Sequence, residues 1–182
     1  MCRSAVRGGL EPIHSIDRRL TITTPIEPIP DRYRYSVIPH VMVEGASAAI
    51  EFYERALGAT ELFRIAQPDG RIVHAEITIG RSVVMVGDAN DPFEDPHSLG
   101  GLSVGLHVYV EDVDARFAQA VDAGARVIEP VRDMFYGDRM GMLEDPFGHI
   151  WVLLTHLEDL PPEEIKRRGE AMLERAELQG ER

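Results

Sequence analysis

The feature that most constrains this chain is that its middle is written twice. Residues 38–45 (IPHVMVEG) lay without a gap onto residues 105–112 (GLHVYVED), so His40 falls on His107 and Val43 on Val110. Gly58 and Ala59 fall on Gly124 and Ala125, one residue out, and Gly80 falls on Gly148. Chance alternation rarely keeps such anchors within a residue of constant spacing. Two half-chains with one order of elements should fold alike and pack as pseudo-twofold mates.

Each half reads as β-α-β-β-β. Residues 36–43 alternate and are rich in β-branched side chains, which predicts a strand. Residues 46–57 place Ile50, Tyr53 and Leu57 on one helical face, with Phe52 and Ala56 beside it, and Gly58 ends the helix. Strands over 61–66, 71–79 and 82–86 follow, separated by Pro68-Asp69-Gly70 and by Gly80-Arg81. The second half repeats this with a strand over 102–110 and a helix over 113–123 capped by Asp112 and stopped by Gly124. Strands over 126–130, 139–144 and 149–155 complete it, the last two joined by the turn Asp145-Pro146-Phe147-Gly148. The expected domains are therefore a first module over 35–87, a linker over 88–101 and a second module over 102–156. Residues 1–34, broken by Pro25, Pro28 and Pro30, read as an extended or disordered N-terminal extension. Residues 157–182 read as a C-terminal helix, with Glu163 and Arg167 spaced to pair.

Composition narrows the function. A formal charge of −12 repels phosphate backbones and anionic headgroups, so neither nucleic acid nor membrane is an expected partner. No apolar run nears the roughly 20 residues that span a bilayer, and the first ten residues lack a secretory apolar region. Cys2 is the only cysteine, which removes internal disulfides and cysteine metal sites and makes the cytoplasm the expected location.

Three runs carry a resemblance: residues 43–58 with Phe52, Tyr53, Leu57 and Gly58 closing the helix, residues 110–125 (VEDVDARFAQAVDAGA), and residues 144–151 (EDPFGHIW). In this order they resemble the vicinal oxygen chelate superfamily of glyoxalases, bleomycin-resistance proteins and extradiol dioxygenases, over about residues 33–155. Residues 155–168 look like the tail of a glyoxalase-like bacterial branch. The resemblance implies an α+β fold in which two tandem βαβββ modules form a curved mixed sheet around a cavity, with the helices on the outer face. It also implies a homodimer, since such modules often pair across subunits and an open sheet edge invites a partner.

Strand alternation sorts the side chains. Val41, Val43, Val73, Ala75, Ile77 and Ile79 should face the helices, which leaves His40, Met42, His74, Glu76 and Thr78 on the cavity face. In the second half His107, Tyr109, Ile150, Val152 and Leu154 take the cavity face, and Trp151 packs under a helix. Glu76 and Glu144 fall at equivalent places of the repeat. The loop bearing Phe135 and Tyr136 suits a rim that stacks on a flat ligand. His149 is expected to point to solvent.

Catalytic members of the resembled family hold one divalent ion on four His or Glu side chains, two per module. Carried over, those positions fall on Ile38, His74, Gly105 and Val152, of which only His74 has a lone pair to give. No cofactor is therefore expected. The alternative is a displaced metal site of His40, His74, Glu76 and His107, which suits zinc, iron or nickel by ligand type. A two-residue step along a strand is about 6.6 Å, which works against convergence. The expected function is a binder that sequesters a small molecule, drug or metabolite, through His40, Met42, His74, Glu76, His107, Tyr109, Phe135, Tyr136 and Val152. The alternatives are a metal-dependent lyase, isomerase or dioxygenase, or an interaction module with a vestigial cavity. No catalytic residue is assigned.

Overall fold

The computed structural model describes residues 29–34 and 36–180, with side chains as far as 177. The expectations for residues 1–28, Cys2 among them, lie outside the described residues.

In the first module, β1 (His40–Val43), α1 (Ala46–Leu57), β2 (Thr60–Ala66), β3 (Ile72–Ile79) and β4 (Ser82–Asp88) form a sheet of order β1-β4-β3-β2. The linker contributes a short helix, α2 (Pro96–Leu99), that the sequence did not announce. The second module, β5 (Gly105–Tyr109), α3 (Val113–Asp122), β6 (Arg126–Asp133), β7 (Asp138–Glu144) and β8 (Ile150–His156), forms a sheet of order β5-β8-β7-β6. A C-terminal helix, α4 (Pro162–Gly180), follows. In both sheets the first and last strands run parallel, as the helical crossover dictates, and the remaining pairs are antiparallel. The fold is α+β with two tandem modules.

Each module closes the start of its helix from its last strand. The Asp88 carboxylate accepts from the backbone N–H of Gly45 and Ala46 at 2.9 Å, and its other oxygen from Ile72 at 2.6 Å. In the second module Asp112 caps Ala115, and Thr155 accepts from the Val113 N–H while donating to the Val110 carbonyl. Different side chains satisfy the same orphan donors.

The two sheets are separate, and no hydrogen bonds join β1 to β5. The modules meet instead through their helix layers. A single apolar core runs from Val41, Val86 and Ala75 through Ile50, Tyr53, Val113 and Ala120 to Leu143, Trp151 and Leu153. The alanines at 46, 49 and 56 leave α1 thin on its buried face, which lets neighbours approach closely. α1 and α3 therefore pack between the two sheets, which stay open rather than closing on each other.

The joint is polar at its centre. Asp145, 3% exposed, accepts at 2.9 Å from the Tyr53 hydroxyl, the Trp151 indole N–H and the backbone N–H of Phe147 and His149. Burial, followed by the Asp145 charge, pushes the Tyr53 hydroxyl well above its usual pKa, so it stays a donor. The Asp145-Pro146-Phe147-Gly148 turn is thus a fastening between modules as well as a turn.

Candidate functional site

The face of each sheet turned away from the shared core is where the sequence placed the ligand. On the first sheet, strand register sets His40 beside Met85, Met85 beside Glu76 and Glu76 beside Phe63. Met42 lies beside Gly87 two residues further along. His40 and His74 meet edge to face with ring centroids 5.7 Å apart, and Phe63 and Phe93 flank them. Gly87 leaves room for this: a Cβ there would stand 3.4 Å from His40 Nε2 and 3.2 Å from the Val73 carbonyl. Burial, then the neighbouring His74, lowers the His40 pKa.

Val73 departs from its expected side. Ile65 pairs with His74 but Ala66 with Ile72, a bulge that turns Ile72 into the core and exposes Val73.

Glu76 is the deepest polar group of this face, 3% exposed. The 3-10 helix Asp31–Tyr33 stands over it. Arg32 Nε donates to Glu76 Oε2 at 3.2 Å, the Tyr33 hydroxyl donates to Oε1, and His74 Nε2 is 3.7 Å from Oε1. Burial raises the Glu76 carboxyl, but the Tyr33 bond, the Arg32 charge and the His74 contact outweigh it and hold the pKa below the usual value.

The second face has a different chemistry. Met140, Val152 and Leu154 are buried together, with Met134, Tyr136 and Met142 packed on them. No first-module residue belongs to this cluster. At its end Asp138 accepts from the exposed Tyr109 hydroxyl and from His156 Nδ1, both at 2.7 Å, and His156 Nε2 reaches Asp159 at 2.9 Å. The bonds to Asp138 and then Asp159 raise the His156 pKa. Phe135 crosses Tyr136 at 5.2 Å and lies against Gly169 of α4, so only Tyr136 reaches the methionine cluster.

Register corrects two assignments. His107 pairs with Val152, and Val152 with Met142, so the repeat mate of Glu76 is Met142, not Glu144. The cause is the hairpin: Ile79 and Ser82 leave a two-residue turn, whereas Glu144 and Ile150 leave 145–149. By the same register the mate of Val152 is Met85, on the last strand of its module, and not His74 on β3. The four positions that a metal would use, two per module, then read Ile38, Met85, Gly105 and Val152, which offer no imidazole or carboxylate. The residues present do not fit the family's ion. The displaced set is not assembled either: His40, His74 and Glu76 share the first face, while His107 stands on the second sheet. Among the described residues no three His, Cys, Asp or Glu side chains converge as a metal site.

Two further placements differ from expectation. His149 is buried, because α2 covers the turn and His97 Nε2 lies 3.3 Å from the Pro146 carbonyl. Its Nδ1 has no hydrogen-bond partner, and burial lowers its pKa. Glu164, rather than Glu163, pairs with Arg167, and also with Arg168.

A groove of about 980 Å³ runs between the approach to β1 (Val37, Ile38, Pro39) and the open edge of β5 (Leu106 to Val110), floored by Leu57, Arg116 and Trp151. A smaller hollow of about 360 Å³ under the linker, lined by Arg71, Asp91 and Glu94, is ringed by acidic side chains.

The family model of the glyoxalase/bleomycin resistance protein/dioxygenase superfamily matches residues 37–153, from just before β1 into β8. The chain belongs to this superfamily. Among relatives of this glyoxalase-type chain, Uncharacterized protein Rv0887c of Mycobacterium tuberculosis is 41% identical over 133 residues, 70% of this chain and 78% of its own length. TioX from Micromonospora sp. ML1 superposes with a TM-score of 0.54 at 27% identity, covering 69% of this chain and 99% of that one. A superfamily member from Sphaerobacter thermophilus shares the fold at 21% identity, TM-score 0.55, over 67% of this chain and 97% of its own. No helix among the described residues is long and apolar enough to cross a membrane.

Proposed function

We propose that this chain is a small-molecule-binding protein of the bleomycin-resistance type, which sequesters a flat drug or metabolite in the cytoplasm without a metal ion. The observation that carries this reading is the donor set: the four positions a glyoxalase-type ion would need hold Ile38, Met85, Gly105 and Val152. A divalent Lewis acid finds no imidazole or carboxylate there, and the Met85 thioether is a poor ligand for it. What replaces the donors is a binding surface, with methionines and Tyr136 offering soft, adaptable apolar contact and polar handles at Tyr109, Asp138 and His107.

The binding form is a homodimer. Each far face is half of a cavity, and the two halves are not brought together within one chain. The unpaired outer edges of β1 and β5 flank the large groove and are suited to meeting the same edges of a second copy.

Sedimentation of the purified protein at micromolar concentration is expected to show a dimer. Melting scans across a panel of aromatic drugs and metabolites should then show at least one compound that raises Tm by several degrees in the wild type and much less in Tyr136→Ala. Metal analysis of the wild type beside His74→Ala is the counter-test. A stoichiometric ion that is lost with His74 overturns the reading in favour of a metal-dependent lyase, isomerase or dioxygenase.

A further inference from the structure

Where the second face has Met142, the first has a carboxylate, and the chain brings its own cation to it. Burying an isolated carboxylate costs several kcal/mol, so Glu76 needs a partner. Strand neighbours do not supply a charged one, since Met85 and Phe63 lie beside it in the sheet. The charge comes from outside the module. Asp31–Tyr33 lays a guanidinium and a phenol on the two carboxylate oxygens, and the Arg32 guanidinium stands 4.4 Å from the centroid of the Tyr33 ring. The pair behaves as one unit: a cation joined to an aromatic ring.

The turn that carries this unit buries none of its three residues. Among the described residues its backbone bonds include Arg34 N–H to the Asp31 carbonyl and Ser36 N–H to the Tyr33 carbonyl. The Arg32 side chain is 50% exposed while the Glu76 side chain is 4% exposed, so the anchor is buried and the occupant is not. Arg32 also lines the large groove. Phe63, His74, His40 and Phe93 form the aromatic wall around Glu76.

We infer that Arg32 and Tyr33 are an intramolecular stand-in for the ligand, and that the first face selects molecules bearing an amidinium or guanidinium beside an aromatic ring, with Glu76 as the anchor. This rests on the small-molecule reading above and names the ligand class for one of its two faces. Binding exchanges the turn for the ligand: the carboxylate keeps a cation and a ring throughout, and only the source changes. The free protein avoids an unpaired buried charge, and neutral ring compounds lack the charge needed to displace the turn.

The probe is benzamidine, with neutral benzamide as the matched control, titrated by calorimetry into wild type, an Arg32→Ala/Tyr33→Phe variant, and the same variant carrying Glu76→Gln. Removing the stand-in is expected to tighten benzamidine at least tenfold, to leave benzamide without measurable binding, and to make the gain vanish with Glu76→Gln. Equal affinity in wild type and the double variant, benzamide binding as well as benzamidine, or binding that survives Glu76→Gln each overturns the inference. Should the triple variant fail to fold, the comparison of benzamidine with benzamide in the double variant reads the charge requirement without touching Glu76. A compound that still shifts the melting of the wild type through Tyr136 while benzamidine fails sinks only the stand-in. The absence of any ligand from both experiments sinks the binding reading itself.

Discussion

The two far faces began as copies and now differ in kind. On the first, His40, His74 and Glu76 make a polar surface beneath a turn that brings a cation. On the second, Met140, Val152 and Leu154 make an apolar one with a buried charge, Asp138, at its end. The opposite sides have not diverged in this way: both pack aliphatic residues into one core, and both close a helix start from the last strand. Packing constrains the shared side from two modules at once, whereas the far faces are free of that constraint. Duplication therefore leaves one chain with two unlike far faces, which under the binding role proposed above suits a ligand with a charged end and an apolar end.

The comparison presumes that both faces hang on one core, and Asp145 is where that is most exposed to refutation. Asp145→Ala strands the Tyr53 hydroxyl, the Trp151 indole N–H and two backbone N–H groups in the interior. The expected loss is about 3–5 kcal/mol in urea unfolding, as for removal of one member of a buried charged network. The unfolding should stay a single transition. A loss under about 1 kcal/mol, or two separate transitions, would mean that the modules stand independently and that the joint is ornamental.

This hub also marks the limit of what the sequence disclosed. The repeat was legible because strand and helix periodicities and the glycine stops are local signals, and α1 was expected over the residues it occupies, 46–57. Which strand faces turn inward was legible for the same reason, apart from Val73, where a bulge cannot be read from alternation. Asp145 looked like a turn residue because Tyr53, its partner on the other module, is 92 positions away. His149 looked exposed because only the docking of α2 buries it. Glu76 and Glu144 looked equivalent because two glycines were aligned across hairpins of unequal length. The relation between the modules was least legible of all. Each half announces its own sheet, but nothing local says whether the halves join by strand edges or by helices.

A second test compares the two faces directly. Met140→Ala removes a side chain packed with Val152, Leu154 and Tyr136 and should destabilise the protein by about 2–3 kcal/mol. Ile65→Ala on the first face removes a side chain that is 54% exposed and should stay within about 0.5 kcal/mol. Equal losses from the two would mean that the first face is as firmly packed as the second and that its turn is a fixed part of the core.

The smallest expected effect is in pH, and there the two faces carry opposite signs. Glu76 titrates below its ordinary value in the fold, so its contribution is present above the unfolded carboxyl range and is lost as pH falls through the folded pKa. His156 titrates above its ordinary value because Asp138 and Asp159 favour its charged form. Its contribution is therefore complete below the unfolded imidazole pKa of about 6.5 and fades as pH rises through the folded one. Glu76→Gln should flatten the acid limb of the stability profile and leave the limb above neutrality unchanged, while His156→Gln should do the reverse. His149 complicates only the acid side. Buried and lowered by that burial, it favours the neutral form, so it too withdraws stability as pH falls below about 6.5 and leaves the alkaline limb to His156. Urea midpoints from pH 4 to 9 for the three proteins decide the matter. If His156→Gln leaves the alkaline limb as steep as in the wild type, the Asp138 cluster is not a charged end of the second face, and the two faces differ less than their side chains imply.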